Sequence, residues 1–420
     1  MAVVTLAGAA AGCDLDLANP NAPTQEEIIT SFDGLVAVAV GMQDQYAATQ
    51  DDYLIPNSLV TDEWGTRQLA LASYTTLLTG LEIDAGYATI YGPWANSYET
   101  IRSANTILSA QVDLGPVFGP AMSSLAKLYK AMALGRLIMT YEEVPIDISV
   151  DAPVPQPRTV VLGTILTLLE EARTEINSVP DAQLSEYRRR VIGNDFDQAN
   201  VIDAMLARYY LIAEQYADAV TAADRALAGM EEISYFSYSS PDVNPVYAIS
   251  VASQYVASAK QWAREAEAND DRVPYWADTL VSPVPNTAEE VFALNKYQTQ
   301  TEPLPAFLPD EMKLIKAEAL VRQGAANYPA ALALINEVRE QDASAFDEPV
   351  ADLPPVVLTT EAEFLAQIEY ERRYELYMQG MRWEDVRRFG AAVAGEAPTI
   401  EFLPIPQQEC DANPSDPCGA

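Results

Sequence analysis

The closing stretch IEYERRYELYMQGMRWEDVRRFG, residues 368–390, sets the hardest condition on the fold. It reads as a helix halted at Gly380, followed by a short helix closed by Gly390. Just before it, Phe364, Leu365 and Ile368 form an apolar stripe at helical spacing. The same face, continued at about 3.6 residues per turn, meets Glu371, Arg372 and Glu375 instead of further aliphatic residues. A charge left unpaired on the buried side of a helix is strongly destabilising. The expected solution is an ion-paired cluster inside a helical core, with Arg372 between Glu371 and Glu375. Tyr370, Tyr374, Tyr377 and Trp383 are expected around it. The competing reading of the same residues is a solvated charge run on an exposed helix.

The rest of the chain must supply that core. Of its 420 residues, 49% are apolar, and no internal run is apolar enough to suggest a membrane span. Such a length holds one large domain or two to three smaller ones. With 25 basic and 61 acidic residues the formal charge is −36, which repels nucleic acid and anionic lipid surfaces. The basic clusters, Arg188 to Arg190 and five arginines between 372 and 388, are too small or too interleaved with glutamate to reverse this. There is no histidine, which removes Ser-His-Asp and Cys-His catalysis and every His-ligated metal site. Two-carboxylate glycosidase chemistry survives that filter, but the sequence nominates no pair. No catalytic residue, cofactor or metal site is therefore expected.

The N-terminus MAVVTLAGAAAGC is a short apolar, small-residue run ending at Cys13. It resembles the end of a bacterial lipoprotein signal, which makes Cys13 the expected lipid anchor and residues 1–12 a signal remnant outside the fold. No Lys or Arg precedes the run, and Ala10 stands where leucine is usual. Residues 13–24, rich in Asn and Pro, read as a tether. Cys410 and Cys418 flank a Pro-, Asp- and Asn-rich tail segment and are expected to close a small disulfide loop.

Residues 25–420 read as a single, mostly helical (all-α) body. Thr24, with Glu26 and Glu27 behind it, is expected to cap a first helix. Another helix carries Trp94, Tyr98, Ile101, Ala104 and Ile107 on one stripe. Long helices follow over 121–142 and 159–178. Two stretches, NVIDAMLARYYLIAEQYADAVTAADRALAG and EMKLIKAEALVRQGAANYPAALALINEVRE, have the helix–turn–helix shape of tetratricopeptide units. In the first, Ala207, Ala219, Ala223 and Ala226 would let the two helices approach closely, with Tyr210 and Tyr216 filling the groove. An irregular insert, about 232–309, interrupts the pattern with Tyr, Ser, Pro and Asn. Within it VASQYVASAKQWAREAEA reads as helix. Long aromatic-bearing loops on a helical scaffold are where function tends to lie.

Six segments in order carry a resemblance. CDLDLANPNAPT, WANSYETIRSANTIL, LAKLYKAMALGRLIMTYEEVPID, the two helix pairs, and ERRYELYMQGMRWEDVRRFG with FLPIPQQECDANP are similar to the corresponding parts of the SusD/RagB family of outer-membrane nutrient-binding lipoproteins. The likeness runs essentially end to end; the tail cysteine pair is not a general family feature. It implies tetratricopeptide-like helix pairs beside a loop-rich, SusD-like subdomain. It implies a cell-surface protein that captures glycan or peptide fragments without turning them over. The implied partner is a SusC-like TonB-dependent transporter.

The ligand residues must be read locally, because no fixed motif carries over. Sugar C–H faces pack on flat aromatic rings while rim carboxylates, amides and arginines bond the hydroxyls. Trp64 with Asp62, Glu63 and Arg67 forms one candidate cluster. Trp262 and Tyr275-Trp276, near Asp270, Asp271 and Arg272, form another. Core packing is the competing reading for each tryptophan, and Asp271 and Arg272 could simply fix their loop. The competing function is structural: a self-assembling or envelope scaffold built on the helix pairs.

Overall fold

The computed structural model describes residues 29–228, 230–279, 291–395 and 397–413. Its principal helices are α1 (Phe32–Ala48), α2 (Gln50–Val60), α3 (Ala72–Thr79), α4 (Ala88–Ser109), α5 (Gly115–Thr140) and α6 (Arg158–Asn177). They continue with α7 (Gln198–Ile212), α8 (Tyr216–Leu227), α9 (Pro309–Arg322), α10 (Tyr328–Arg339), α11 (Glu361–Glu375), α12 (Arg382–Phe389) and α13 (Gln407–Ala412). Four short strands, β1 (Trp64–Thr66), β2 (Val256–Ala259), β3 (Ala277–Asp278) and β4 (Val291–Leu294), form an antiparallel sheet in the order β1-β2-β4-β3.

The helices start where side chains satisfy their free amides. Ser31 accepts from Gly34 N at the head of α1, and Asp197 accepts from Asn200 N at the head of α7. The Thr24 cap expected from the sequence lies outside the described residues. Thr360 and Glu363 form a reciprocal capping box on α11. The backbone amides of Thr359 and Thr360 hold the Glu363 carboxyl down at about 2.

From α4 onward each helix packs on the next, α4 to α5, α5 to α6, and so through α9, which also carries α10 and α11. The pairs α7/α8 and α9/α10 are the two expected tetratricopeptide-like units. Ala207, Ala219, Ala223 and Ala226 are completely buried between helices, and α8 stacks directly on α9. At Gly135 of α5 the approach is closer still, since a Cβ there would stand 1.7 Å from the Tyr209 hydroxyl of α7.

The insert departs from the reading in one respect. VASA, residues 256–259, is a strand, not part of a helix, and Ser258 lies opposite both Trp64 of β1 and Phe292 of β4. All four of its residues are buried. A strand enclosed on both faces shows no alternation of polar and apolar residues, so periodicity cannot separate it from a buried helix. The helical part of the segment is confined to a turn at 248–252 and to Lys260–Arg264.

The closing stretch folds as a helix, a turn and a helix. Gly380 has φ +70, and Tyr53 Cε1 lies 2.2 Å from where its Cβ would be. Tyr53 and Asn57 of α2 both donate to the Gly380 carbonyl, and Asn57 Oδ1 accepts from Trp383 N at 3.1 Å. Glu371, Arg372 and Glu375 are buried as expected, 0%, 2% and 0% exposed.

Their pairing differs from the expectation. Consecutive helical residues leave the axis about 100° apart, so Glu371 and Arg372 cannot face one another. Glu371 is held by two arginines from elsewhere, Arg272 Nη1 at 2.7 Å and Arg339 Nη1 at 2.6 Å. Arg372 Nε turns to Asp385 Oδ2 at 2.8 Å, and Arg388 Nη2 takes the other Asp385 oxygen at the same distance. Burial pushes the Asp385 carboxyl up, but those two guanidiniums hold it below its ordinary value. Further ion pairs, Arg388 with Glu318 and Arg208 with Glu311 at 2.7 Å, stitch α12 and α7 to α9. The network is structural and wider than the three residues foreseen.

Candidate functional site

The tryptophans proposed from the sequence form a dry layer. Trp64 and Trp262 are 0% exposed and Trp276 is 1% exposed. Trp262 stacks on Tyr377 with ring centres 4.1 Å apart, and Trp276 Nε1 donates to the Tyr374 carbonyl at 3.0 Å. They join the sheet to the end of α11 and offer no ring face to a ligand, which corrects the aromatic-platform expectation. Trp64 lies on β1 itself and Trp262 and Trp276 lie on short helical turns that flank the sheet, so the rings are packed inward between the sheet and α11.

Arg272 is likewise internal. It grips Asp270 through Nε and Nη2 at 2.9 and 2.8 Å, so it does fix its loop. Arg67 is half-buried and braces the outer strand, its Nη1 and Nη2 donating to Ser250 O and Gln254 Oε1 at 3.4 and 3.2 Å. Tyr275 keeps partial exposure and donates to Asp347 Oδ1 at 3.1 Å, with the Lys296 ammonium 5.0 Å from its ring centre. The structure therefore does not bring Trp64, Arg67, Trp262, Tyr275 and Trp276 together as one open site. Cys410, on α13, is disulfide-bonded. Its expected partner Cys418 and the expected lipid anchor Cys13 lie outside the described residues.

An open cleft of about 440 Å³ runs along α4 instead. Trp94 and Tyr98 form its floor. Trp94 meets Tyr141 edge-on at 5.0 Å and tilts against Tyr98 at 5.1 Å, while the Tyr98 hydroxyl donates to Pro145 O at 2.8 Å. Burial first, then the nearby Glu409, pushes the Tyr98 phenol well above its usual value, so it stays a neutral donor. Tyr91, 40% exposed, presents its ring at one end. Glu99 and Arg102 stand on the exposed side of the same helix. Tyr91 to Arg102 spans about 16 Å of helix, the length of an oligosaccharide.

The opposite wall comes from 145–153 and from α13, with Gln408 and Glu409 facing the cleft. Asn413 at the end of α13 pins the two together, donating to Pro153 O at 2.8 Å and Glu409 Oε1 at 2.9 Å. Aromatic surface flanked by an arginine, two carboxylates and an amide is the mixture that sugar recognition requires. The sequence carried half of this signal. Tyr91, Ala95, Tyr98 and Arg102 recur at helical spacing beside the buried stripe, but nothing local places α13 opposite them.

Residues 291–400, which include the closing stretch, match the SusD family. No curated protein sequence matches the chain. Among solved structures, a SusD superfamily protein from Bacteroides vulgatus shares the fold with a TM-score of 0.70 at 16% identity, covering 92% of this chain and 100% of that one. A SusD-like carbohydrate-binding protein from Bacteroides fragilis aligns with a TM-score of 0.71 at 16% identity, covering 93% and 99%. Surface glycan-binding protein A from Bacteroides thetaiotaomicron, in complex with laminarihexaose, aligns with a TM-score of 0.71 at 14% identity, covering 92% and 99%. At these identities the structural likeness speaks for the fold. Residues 291–400 thus match the SusD family in sequence, and the chain as a whole shares the SusD-like fold along nine-tenths of its length.

Proposed function

We propose that this protein captures glycan fragments at the outer cell surface and passes them, chemically unaltered, to a SusC-like TonB-dependent transporter. Lipid on Cys13 would tether it to the outer membrane. The observation that carries the reading is the α4 cleft, in which an exposed tyrosine, a buried Trp–Tyr floor and flanking Arg, Glu and Gln groups occur within a SusD fold. Neighbours with that fold include a SusD-like carbohydrate-binding protein and a surface glycan-binding protein in complex with laminarihexaose. Glu99 and Glu409 on the cleft and a formal charge of −36 disfavour uronate-bearing or sulfated chains. A neutral oligosaccharide therefore fits best.

A panel of neutral and acidic oligosaccharides and of peptides tests this, with affinity and reducing-end release measured together. Saturable binding of a neutral glycan without release of new ends is expected. Binding confined to peptides or sulfated chains, or cleavage of the bound glycan, overturns it. Co-purification of the lipidated protein with a TonB-dependent barrel from native membranes tests the partner.

A further inference from the structure

Asp310 in the first turn of α9, Glu348 in the loop after α10, and Glu375 at the end of α11 each send one carboxylate oxygen into a common point. The three oxygens lie within 4.8 Å of one another. The residues are 1%, 6% and 0% exposed, so water cannot spread their charge. Glu348 is oriented from behind: Ser344 Oγ and Gln341 Nε2 both donate to its Oε1, which leaves Oε2 without a hydrogen-bond partner and turned inward.

Glu375 supplies the more telling observation. Both of its oxygens are buried and neither has a hydrogen-bond partner. The nearest guanidinium, Arg272, stands 3.7 Å from Oε2 and is already engaged with Asp270 and Glu371. Asp310 has the Lys313 ammonium 2.8 Å from Oδ1, but Lys313 is shared with Glu337 at 3.0 Å, and Asp310 Oδ2 has no partner. Buried carboxylates in native proteins are paired, hydrogen-bonded or bound to a cation.

We propose that Asp310, Glu348 and Glu375 form a binding site for a divalent cation, Ca²⁺ in preference to Mg²⁺. Oxygens sharing a Ca²⁺ at about 2.3–2.6 Å stand up to about 5 Å apart, whereas the octahedron at about 2.0–2.1 Å that Mg²⁺ demands is tighter. All three donors are hard oxygens, and no thiol or imidazole competes for a softer metal. An entry path exists: Glu348 also lines a cleft of about 410 Å³ open to solvent, together with Lys313, Glu337 and Gln341. A bound ion would tie the loop carrying Glu348 to α9 and α11, joining the second tetratricopeptide-like pair to the closing helix.

The test uses the full chain freed of metal by chelation, at constant ionic strength. Titration calorimetry and thermal melts with CaCl₂ and MgCl₂ are expected to give one Ca²⁺ site, a rise in melting temperature, and at least tenfold weaker Mg²⁺ binding. The nearly isosteric Glu375→Gln and Asp310→Asn changes are each expected to weaken Ca²⁺ at least tenfold. Glu348→Gln, on a loop instead of a helix, gives the same readout if a helix variant fails to fold. Absence of Ca²⁺ binding at millimolar concentration, or Ca²⁺ binding retained by folded variants, overturns the proposal.

Discussion

Two aromatic clusters in this molecule look alike in composition and do opposite things. Beneath the sheet, Trp64, Trp262, Trp276, Tyr374 and Tyr377 are buried to within 1% of completely. Along α4, Trp94, Tyr98 and Tyr141 are nearly as buried, but Tyr91 lies open at the end of the same stripe, beside Glu99 and Arg102. In the first cluster Trp262, Trp276, Tyr374 and Tyr377 turn their indole and phenol groups to backbone carbonyls, as Trp276 to Tyr374 and Tyr374 to Trp262. The second has a wet rim of side chains that can exchange water for hydroxyls. The difference lies in what covers each cluster, not in residue type: closing helices over one, and only a short tail helix beside the other.

Breaking the dry cluster is expected to have the largest effect. Trp262→Ala should cost about 3–5 kcal/mol of stability in a urea melt, with glycan affinity unchanged in the molecules that stay folded. A loss below about 1 kcal/mol would mean that the layer is not core. Arg272→Ala should come close behind, at about 3–5 kcal/mol, because it leaves Asp270 and part of Glu371 buried and uncompensated. Arg372→Ala should cost less, about 1–3 kcal/mol, since Arg388 still holds Asp385. Reversal of that order would contradict the pairing seen here.

A smaller, pH-dependent effect belongs to the acidic triad. Burial, and then Asp310, pushes the Glu348 carboxyl from 4.5 up to about 7. Asp310 from α9 and Glu375 from α11 face it with Lys313, and Ser344 and Gln341 bond it from its own loop. A group whose value rises on folding stabilises most below its unfolded value and loses that contribution as pH climbs. Chelated wild-type protein should therefore lose stability between about pH 4.5 and pH 7 relative to Glu348→Gln, whose curve should be flatter there. Parallel urea-midpoint curves for the two proteins would refute the shift.

The helices were legible in the sequence because alanine- and leucine-rich faces repeat at helical spacing, and the paired units were legible from their buried alanines. The charged face of α11 was legible as buried but not as paired. Arg272 and Arg339 come from segments distant in sequence, and nothing near Glu371 announces them. Four-residue β2 was invisible because helix-forming residues surround it and both its faces are covered. The open cleft was missed for a similar reason, since α4 and α13 come from opposite ends of the chain. Three carboxylates meeting at one point cannot be singled out among 61 acidic residues without the fold that gathers them.

Titration of a panel glycan into the Tyr91→Ala variant distinguishes the two clusters most directly. Tyr91 is exposed and bears no core contact of the kind Trp262 makes, so the melting curve should be unchanged. Affinity for the neutral oligosaccharide that binds the native protein should fall about threefold to tenfold, the worth of one aromatic face. Undiminished affinity in Tyr91→Ala, and again in Tyr91→Ala with Arg102→Ala, would contradict the assignment of the α4 cleft as the place where the ligand is met.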